Sequence, residues 1–393
     1  MEKSQMFWQT YLNLEKEFFE VAKYIYITDE ITSYSDGVLK TSSCKSQLET
    51  YSPFIADLLV RTCVEIESIS KELYFESNGD KKRGDKDIFF DEDCLKLLDK
   101  KYQTHKKVVI ISCPVTNLKR EENICFKPLR EAHKRQGTDW ERAYQAVKHD
   151  RYSSMSQGTV KNLLHAMGAL YLLNLYLKKP TVTSNYSNMW HLDLSFGSAI
   201  FSVRQPDSKY VTEIINNRDV TGVMRAEESP FILKYTDDAY KQILDMNSNM
   251  NKEMHRYWCS QPEQKDPEFI QQIKQAQERE RINPQDKYVP FYVLAQYRLR
   301  KKIPESLPFE EKKKRFISSP EWNGMTRQIN HHLNEDQLTE DNIQTEINEA
   351  GKFFSMDMLQ PFDTMRINKA YHQALCELVL DTGGVKYKDN EQS

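Results

Sequence analysis

The sequence predicts a mainly α-helical protein: an N-terminal helical bundle followed by a helical region that carries a small β-hairpin or sheet. Three observations predict it. Apolar residues recur in steps of three and four over most of the chain. Apolar residues make up 39% and charged residues 29%, with only 12 Gly and 14 Pro in 393 residues, the profile of a helix-rich chain able to bury real cores. Beyond Pro180 the pattern changes, with alternating apolar and polar residues at 192–203 and 220–235. A boundary near 181 follows, giving domains 1–180 and 181–393, the second with its β element at about 192–235.

Residues 4–27 form the clearest helix, with a core stripe of Phe7, Tyr11, Leu14, Phe18, Val21 and Ile25. Asp29–Thr50 is a polar connection, with Ser35-Asp36-Gly37 as its turn signal. Ser52 caps a second helix and Pro53 suits its first position. That helix buries Ile55, Leu58, Leu59, Thr62, Ile66, Ile69 and Leu73. Arg61 and Glu65, four apart, pair with each other, or Glu65 reaches a basic group on a neighbouring helix. The charged, Gly-punctuated residues 79–87 read as a mobile surface loop.

Asp91–Tyr102 is a short helix and Lys107–Ser112 a brief extended segment stopped by Pro114. A basic loop, 130–136, delivers the chain to a helix starting at Trp140. Val160–Leu177 is the centre of the bundle, with Val160, Leu164, Met167 and Tyr171 on one face, and Lys178-Lys179-Pro180 ends it. Gly168 inside that helix costs about 1 kcal/mol relative to Ala, so a close neighbour is expected there. Further helices are expected at 240–258, 267–282, 288–302, 308–316, 340–354 and 362–380, and no period of 20–50 residues repeats.

The net charge of −3 argues against a generic polyanion binder, yet its distribution is uneven. Residues 1–100 hold 13 Lys/Arg against 20 Asp/Glu; residues 101–180 hold 15 against 6, with no acid from Arg151 to Pro180. Either the two segments attract each other, or a positive surface around the Trp140 helix meets phosphates. The seven cysteines are scattered without a C-x-x-C pair, and no signal peptide is recognised, so a reduced, cytoplasmic setting is expected, with no membrane span. Cys63 and Cys376 sit in apolar helical patterns and read as core residues. Cofactors and metals are not expected: His331-His332 lack further ligands at metal spacing, and His255 beside Trp258 and Cys259 reads as packing. His165 lies on the secondary face of the central helix, turned toward Glu65 or the Trp140 helix. The basic runs 298–302 and 312–315 are solvated helix ends, or else an RNA or partner surface.

The Trp140 helix carries the strongest functional clue. At 100° per residue, Trp140, Tyr144 and Val147 share one stripe, and Arg142, Gln145 and His149 share the opposite one. Packing requires the first stripe and not the second. The pattern Trp140-x3-Tyr144-Gln145-x2-Lys148-His149-Asp150-Arg151, followed by an Ala/Leu-rich helix, resembles the HEPN superfamily, and more closely bacterial HEPN-like proteins with a W-x3-Y-N-x-x-K-H-D-R signature. The helix at 51–61 fits the same picture, and the resemblance covers roughly residues 1–180. It implies a helical bundle that often dimerises and an RNA- or nucleotide-interacting protein of prokaryotic type. At its furthest it implies a metal-independent endoribonuclease of toxin or phage-defence systems.

The family's catalytic motif is Arg, four to six residues, then His, with Asn, Asp or His just after the Arg. Imidazole exchanges a proton near neutrality, and guanidinium holds the phosphate and its growing charge. Carried over, His149 is the catalytic histidine and Gln145 stands in the polar position. At the shortest spacing the Arg position is Tyr144, a departure from the family; Arg142, with six residues between it and His149, is the Arg within range. Lys148, Arg151 and Tyr144 are the substrate-binding candidates. The competing reading makes Lys148, His149, Asp150 and Arg151 a polar cluster that meets the helix dipole, with Asp150 orienting His149 or pairing with Arg151, in a non-catalytic interaction or scaffold protein acting through dimer or partner surfaces.

Overall fold

The computed structural model describes residues 2–30, 32–35, 38–41, 46–134, 136–206, 226–279, 291–326, 333–353 and 364–381. The expected turn at Asp36-Gly37, the His331-His332 pair and the start of the 220–235 segment lie outside them. The fold is mainly α with small sheets. The chain divides into two compact units, one formed by 1–236 with 375–393 and the other by 237–374.

In the first unit α1 (Lys3–Ala22) buries Phe7, Tyr11, Leu14, Phe18 and Val21 of the predicted stripe; the helix ends before Ile25, which is only partly buried, and not at 27 as expected. After β1 (Ile27–Thr28), β2 (Thr32–Ser35) and β3 (Val38–Thr41) pair antiparallel, so the polar connection contains a hairpin. In α2 (Pro53–Glu76) Ser52 Oγ accepts from Ile55 N at 3.2 Å and Pro53 opens the helix. Its seven predicted core residues are all buried. Arg61 pairs not with Glu65 but, through Nε, with Asp57 at 3.0 Å and, through both terminal guanidinium nitrogens, with Glu17 on α1. The loop 79–87 is tied down: Arg83 grips Glu72 at 2.5 and 2.6 Å, and Lys81 reaches Asp93 at 2.6 Å.

A wide turn at Phe90–Leu95 leads into α3 (Lys96–Tyr102), followed by β4 (Val109–Ile111), β5 (Thr116–Asn117), α4 (Glu121–Ile124) and β6 (Cys125–Phe126). Then come α5 (Asp139–His149), α6 (Arg151–Ser154) and α7 (Val160–Lys178). Thr159 caps α7, accepting from Asn162 N at 3.2 Å, and Lys179 ends it in the left-handed conformation at φ 47°. From Leu163 to Leu177 only His165 escapes full burial, because α1, α2 and α5 all pack on α7. Gly168 has the close neighbour its cost implied: a Cβ there would lie 2.7 Å from Phe126 Cζ.

The first unit continues past the boundary expected near 181. Strands β7 (Val182–Asn185), β8 (Phe201–Val203) and β9 (Phe231–Tyr235) follow, and the chain returns as β10 (Leu375–Leu380). Strand β8 pairs with β4, which also pairs with β6, while β10 runs antiparallel between β7 and β9. The segments around 201 and 231 are therefore strands, but their partners are distant in sequence rather than each other. Buried Glu15 on α1 fixes the approach to β8: its Oε1 accepts from Ser198 Oγ at 2.6 Å, Ala199 N at 3.0 Å and Ile200 N at 3.1 Å. Fully buried Lys107, 3.6 Å from Asp381 and donating to Ser229 O at 3.1 Å, ties the start of β4 to the end of β10.

The helix expected over 362–380 is corrected by β10. Leu375–Leu380 alternates, with Cys376, Leu378 and Leu380 buried and their neighbours less so, a period of two that fits a central strand. Cys376 is a core residue, as expected, but of a sheet.

The second unit contains α8 (Asp237–Ser260), α9 (Pro267–Arg279), α10 (Phe291–Lys302), α11 (Phe309–Ile317), α12 (Pro320–Thr326), α13 (Ile343–Phe353) and α14 (Thr364–Gln373). Trp258, Phe269, Leu294 and Tyr297 form one core, and Leu299, Phe316, Trp322, Met325 and Ile347 another. His255 lies 3.6 Å from Cys259 Sγ. Three cations of the basic runs pair with acids: Arg298 with Glu263 at 2.7 Å, Lys301 with Glu268 at 2.8 Å and Arg315 with Glu311 at 2.5 Å. Among the described residues no helix is long and apolar enough to cross a membrane.

Candidate functional site

Helix α5 is set by a reciprocal cap. Thr138 Oγ1 accepts from Glu141 N at 3.3 Å, and Glu141 Oε2 accepts from Thr138 N at 2.6 Å. Trp140 Nε1 donates to Pro128 O at 2.9 Å, anchoring the first turn. With the helix so fixed, Trp140, Tyr144 and Val147 are buried against the bundle, and Arg142, Gln145 and His149 are exposed on the far side. The two stripes read from the sequence are the two sides of the helix.

The exposed side chains are not equivalent. Arg142 donates through Nη1 to Gln136 O at 3.1 Å and Gly137 O at 2.9 Å, and its Nη2 pairs with Asp139. It thereby holds the turn that enters α5. His149 and Gln145 have no hydrogen-bond or ionic partner among the described residues. Seven residues at 1.5 Å rise put Arg142 and His149 about 10 Å apart along the helix axis. Asp150 does not orient His149; its carboxylate accepts from Ser153 N at 3.2 Å and caps α6.

Of the substrate-binding candidates, Lys148 and Arg151 are exposed and Tyr144 is not. Lys148 Nζ lies 4.9 Å from the Tyr144 ring centre and 3.9 Å from Glu67 Oε1. Arg151 Nη2 lies 3.8 Å from Asp57 Oδ1. Tyr144 is sealed in the core with its hydroxyl donating to Glu67 at 2.9 Å; burial, and then Glu67, push that hydroxyl's pKa up. An aromatic on the inward stripe belongs to packing, so Tyr144 is withdrawn from the contact surface.

Arg142 also borders an open cleft of about 1130 Å³ whose walls include His105, Lys106, Lys127, Arg204, Glu227 and Glu228. Many of its charges are matched within the protein: Lys106 with Glu227 at 2.9 Å, and Lys127 and Arg204 with Glu228 at 3.2 and 3.1 Å. His165 lines it, stacked on Phe126 with centroids 4.3 Å apart; burial lowers its pKa to about 4 and keeps the ring neutral. Its ring thus packs on Phe126 of β6, and Trp140 lines the same cleft.

The sequence reading missed His105, another lining residue. Its Nδ1 lies 2.7 Å from Asp99 Oδ1, which also accepts from His105 N at 2.8 Å and Thr104 Oγ1 at 3.1 Å. His133 Nε2 is 3.4 Å from the other carboxylate oxygen. A carboxylate fixing one ring nitrogen leaves the other for the cleft, the arrangement that sets a histidine's tautomer and aim. The only sequence signal is Asp99 and His105 flanking the left-handed residue Gln103, a spacing no helix or strand period selects. Among the described residues no three His, Cys, Asp or Glu side chains form a metal-binding group. No family model, curated protein or solved structure matches the chain.

Proposed function

We propose that the first unit is a HEPN-like module that contacts RNA or a nucleotide through the outer face of α5 and the start of α6. The observation that carries this reading is the exposure of Gln145 and His149 with no partner of their own beside the cations Lys148 and Arg151. A protein gains nothing in packing from such a face, and phosphate oxygens satisfy it. The setting that goes with the resemblance is a prokaryotic cytoplasm, with an RNA-targeting toxin or defence protein acting as a homodimer.

Contact is favoured over cleavage by Arg142, which is committed to Asp139 and two carbonyls. Cleavage, the second reading, rests on His149, whose imidazole is open to accept a ribose 2′-hydroxyl proton. Purified protein incubated with labelled mixed RNA in EDTA separates the two. Retention of RNA by the wild type and its weakening in His149→Ala support contact. Metal-independent cleavage that His149→Ala abolishes adds catalysis. The absence of both binding and cleavage refutes the proposal and leaves the scaffold reading.

A further inference from the structure

Three large aromatic side chains stand in solvent close to the end of α5: Tyr152 is 96% exposed, Tyr51 51% and Phe54 47%. The backbone gathers them. Val160 N donates to Thr50 O at 2.9 Å, and Tyr51 bridges Thr159. Gly158 lies against Ala56 so closely that a Cβ on it would come within 2.7 Å of the Ala56 Cβ. Arg151, next to Tyr152, lies 3.8 Å from Asp57, one turn beyond Phe54 on α2. Exposed aromatics scattered singly need no explanation; three on segments that the backbone brings together, with Lys148, His149 and Arg151 beside Tyr152 in the chain, do. The carboxylates among them are occupied, Asp57 by Arg61 and Arg151 and Asp150 by the backbone of α6.

We propose that this face is a binding site for the unstacked bases of single-stranded RNA, with the bases on Tyr152, Phe54 and Tyr51 and the phosphates on Lys148, His149 and Arg151. The inference rests on the RNA-contact reading of α5 and adds the substrate class. Aromatic rings beside cations suit a strand whose bases are free to stack, whereas a duplex keeps its bases inside and offers only sugar and phosphate. A second copy of the chain is a poorer occupant. A two-fold contact sets each patch against itself and brings the cations Lys148 and Arg151 toward their own copies.

The test is fluorescence anisotropy in EDTA with the full chain and a labelled unpaired RNA of about 12 nucleotides, beside a duplex of the same composition. The wild type is expected to prefer the single strand by about tenfold or more, and Tyr152→Ala to lower that affinity about tenfold while leaving duplex binding unchanged. Tyr152→Trp is expected to keep the affinity and to show quenched indole fluorescence on RNA addition. The ring is in solvent, so neither change threatens folding. Equal affinity for both RNAs, unmoved by Tyr152→Ala, overturns the base platform and leaves the α5 contact standing; no RNA binding by the wild type overturns both. Self-association in sedimentation that Tyr152→Ala abolishes, with RNA affinity unchanged, gives the face to a second copy and overturns the proposal.

Discussion

The hydroxyl of Tyr144 on α5 donates a 2.9 Å hydrogen bond to Glu67 on α2, and Lys148 lies over the same ring. This link orients α5 so that its polar stripe faces outward. Tyr144→Phe removes one hydrogen bond from a carboxylate that water also reaches and is expected to cost about 1 kcal/mol. Tyr144→Ala empties a fully buried aromatic site and is expected to cost about 3–5 kcal/mol. Urea denaturation checks both. Tyr144→Phe should leave RNA affinity unchanged, since its hydroxyl does not reach the surface.

Asp99 and His105 make a prediction about tautomer. Asp99 Oδ1 already accepts from His105 N and Thr104 Oγ1, so the neutral ring carries its proton on Nδ1 and presents Nε2 to the cleft as an acceptor. Nitrogen-15 spectra of the histidine ring should show the Nδ1–H form for His105, and Asp99→Ala should release it to a mixture. An Nε2–H form in the wild type contradicts the geometry.

Glu141 and His165 give opposite pH dependences. Burial raises the Glu141 carboxyl from the ordinary 4.5 to about 7. Between those values the folded state holds more protons than the unfolded one, so stability falls as pH rises through this window, by roughly 3 kcal/mol in all. Burial lowers His165 from 6.5 to about 4. Between those values the unfolded state holds more protons, so stability falls as pH drops through them. Glu141→Gln is therefore expected to stabilise at pH 8 relative to pH 5, and His165→Phe to reduce the loss on the acid side. Denaturation midpoints at pH 4, 5 and 8 read both effects.

Gly168→Ala tests the contact between α7 and β6. Alanine gains about 1 kcal/mol of helix propensity at an exposed helical site. Here the new methyl meets the Phe126 ring at 2.7 and 2.9 Å, and relieving such an overlap costs about 1–3 kcal/mol. A lower thermal midpoint is expected; a higher one shows that the ring gives way freely.

What the sequence made legible was local. The Ser52-Pro53 start of α2, the buried row on α1 and the two stripes of α5 each follow from one residue's effect on the next turn of its own helix. What it hid depends on partners far along the chain. Leu375–Leu380 follows directly on a helical stretch and continues its apolar pattern, and only pairing with β7 and β9 makes it a strand. The bond from Glu15 to the backbone at 199 and 200 carries the first unit past 181, and the Asp99–His105 pair forms across a left-handed residue. Periodicity announces none of these. Tyr144 shows a related conflict: its place in the motif points outward, while its place on the helix buries it.

If the outer face of α5 and the start of α6 meet RNA phosphates, RNA affinity must respond to salt. The salt dependence of RNA affinity tests this contact most directly. For single-stranded RNA the slope of log affinity against log salt scales with the phosphates neutralised, about 0.7 for each. The wild type is expected to show a negative slope, and each of Lys148→Gln and Arg151→Gln to lose roughly 0.7 from it. An affinity that ignores salt, or a slope that both substitutions leave untouched, contradicts the contact.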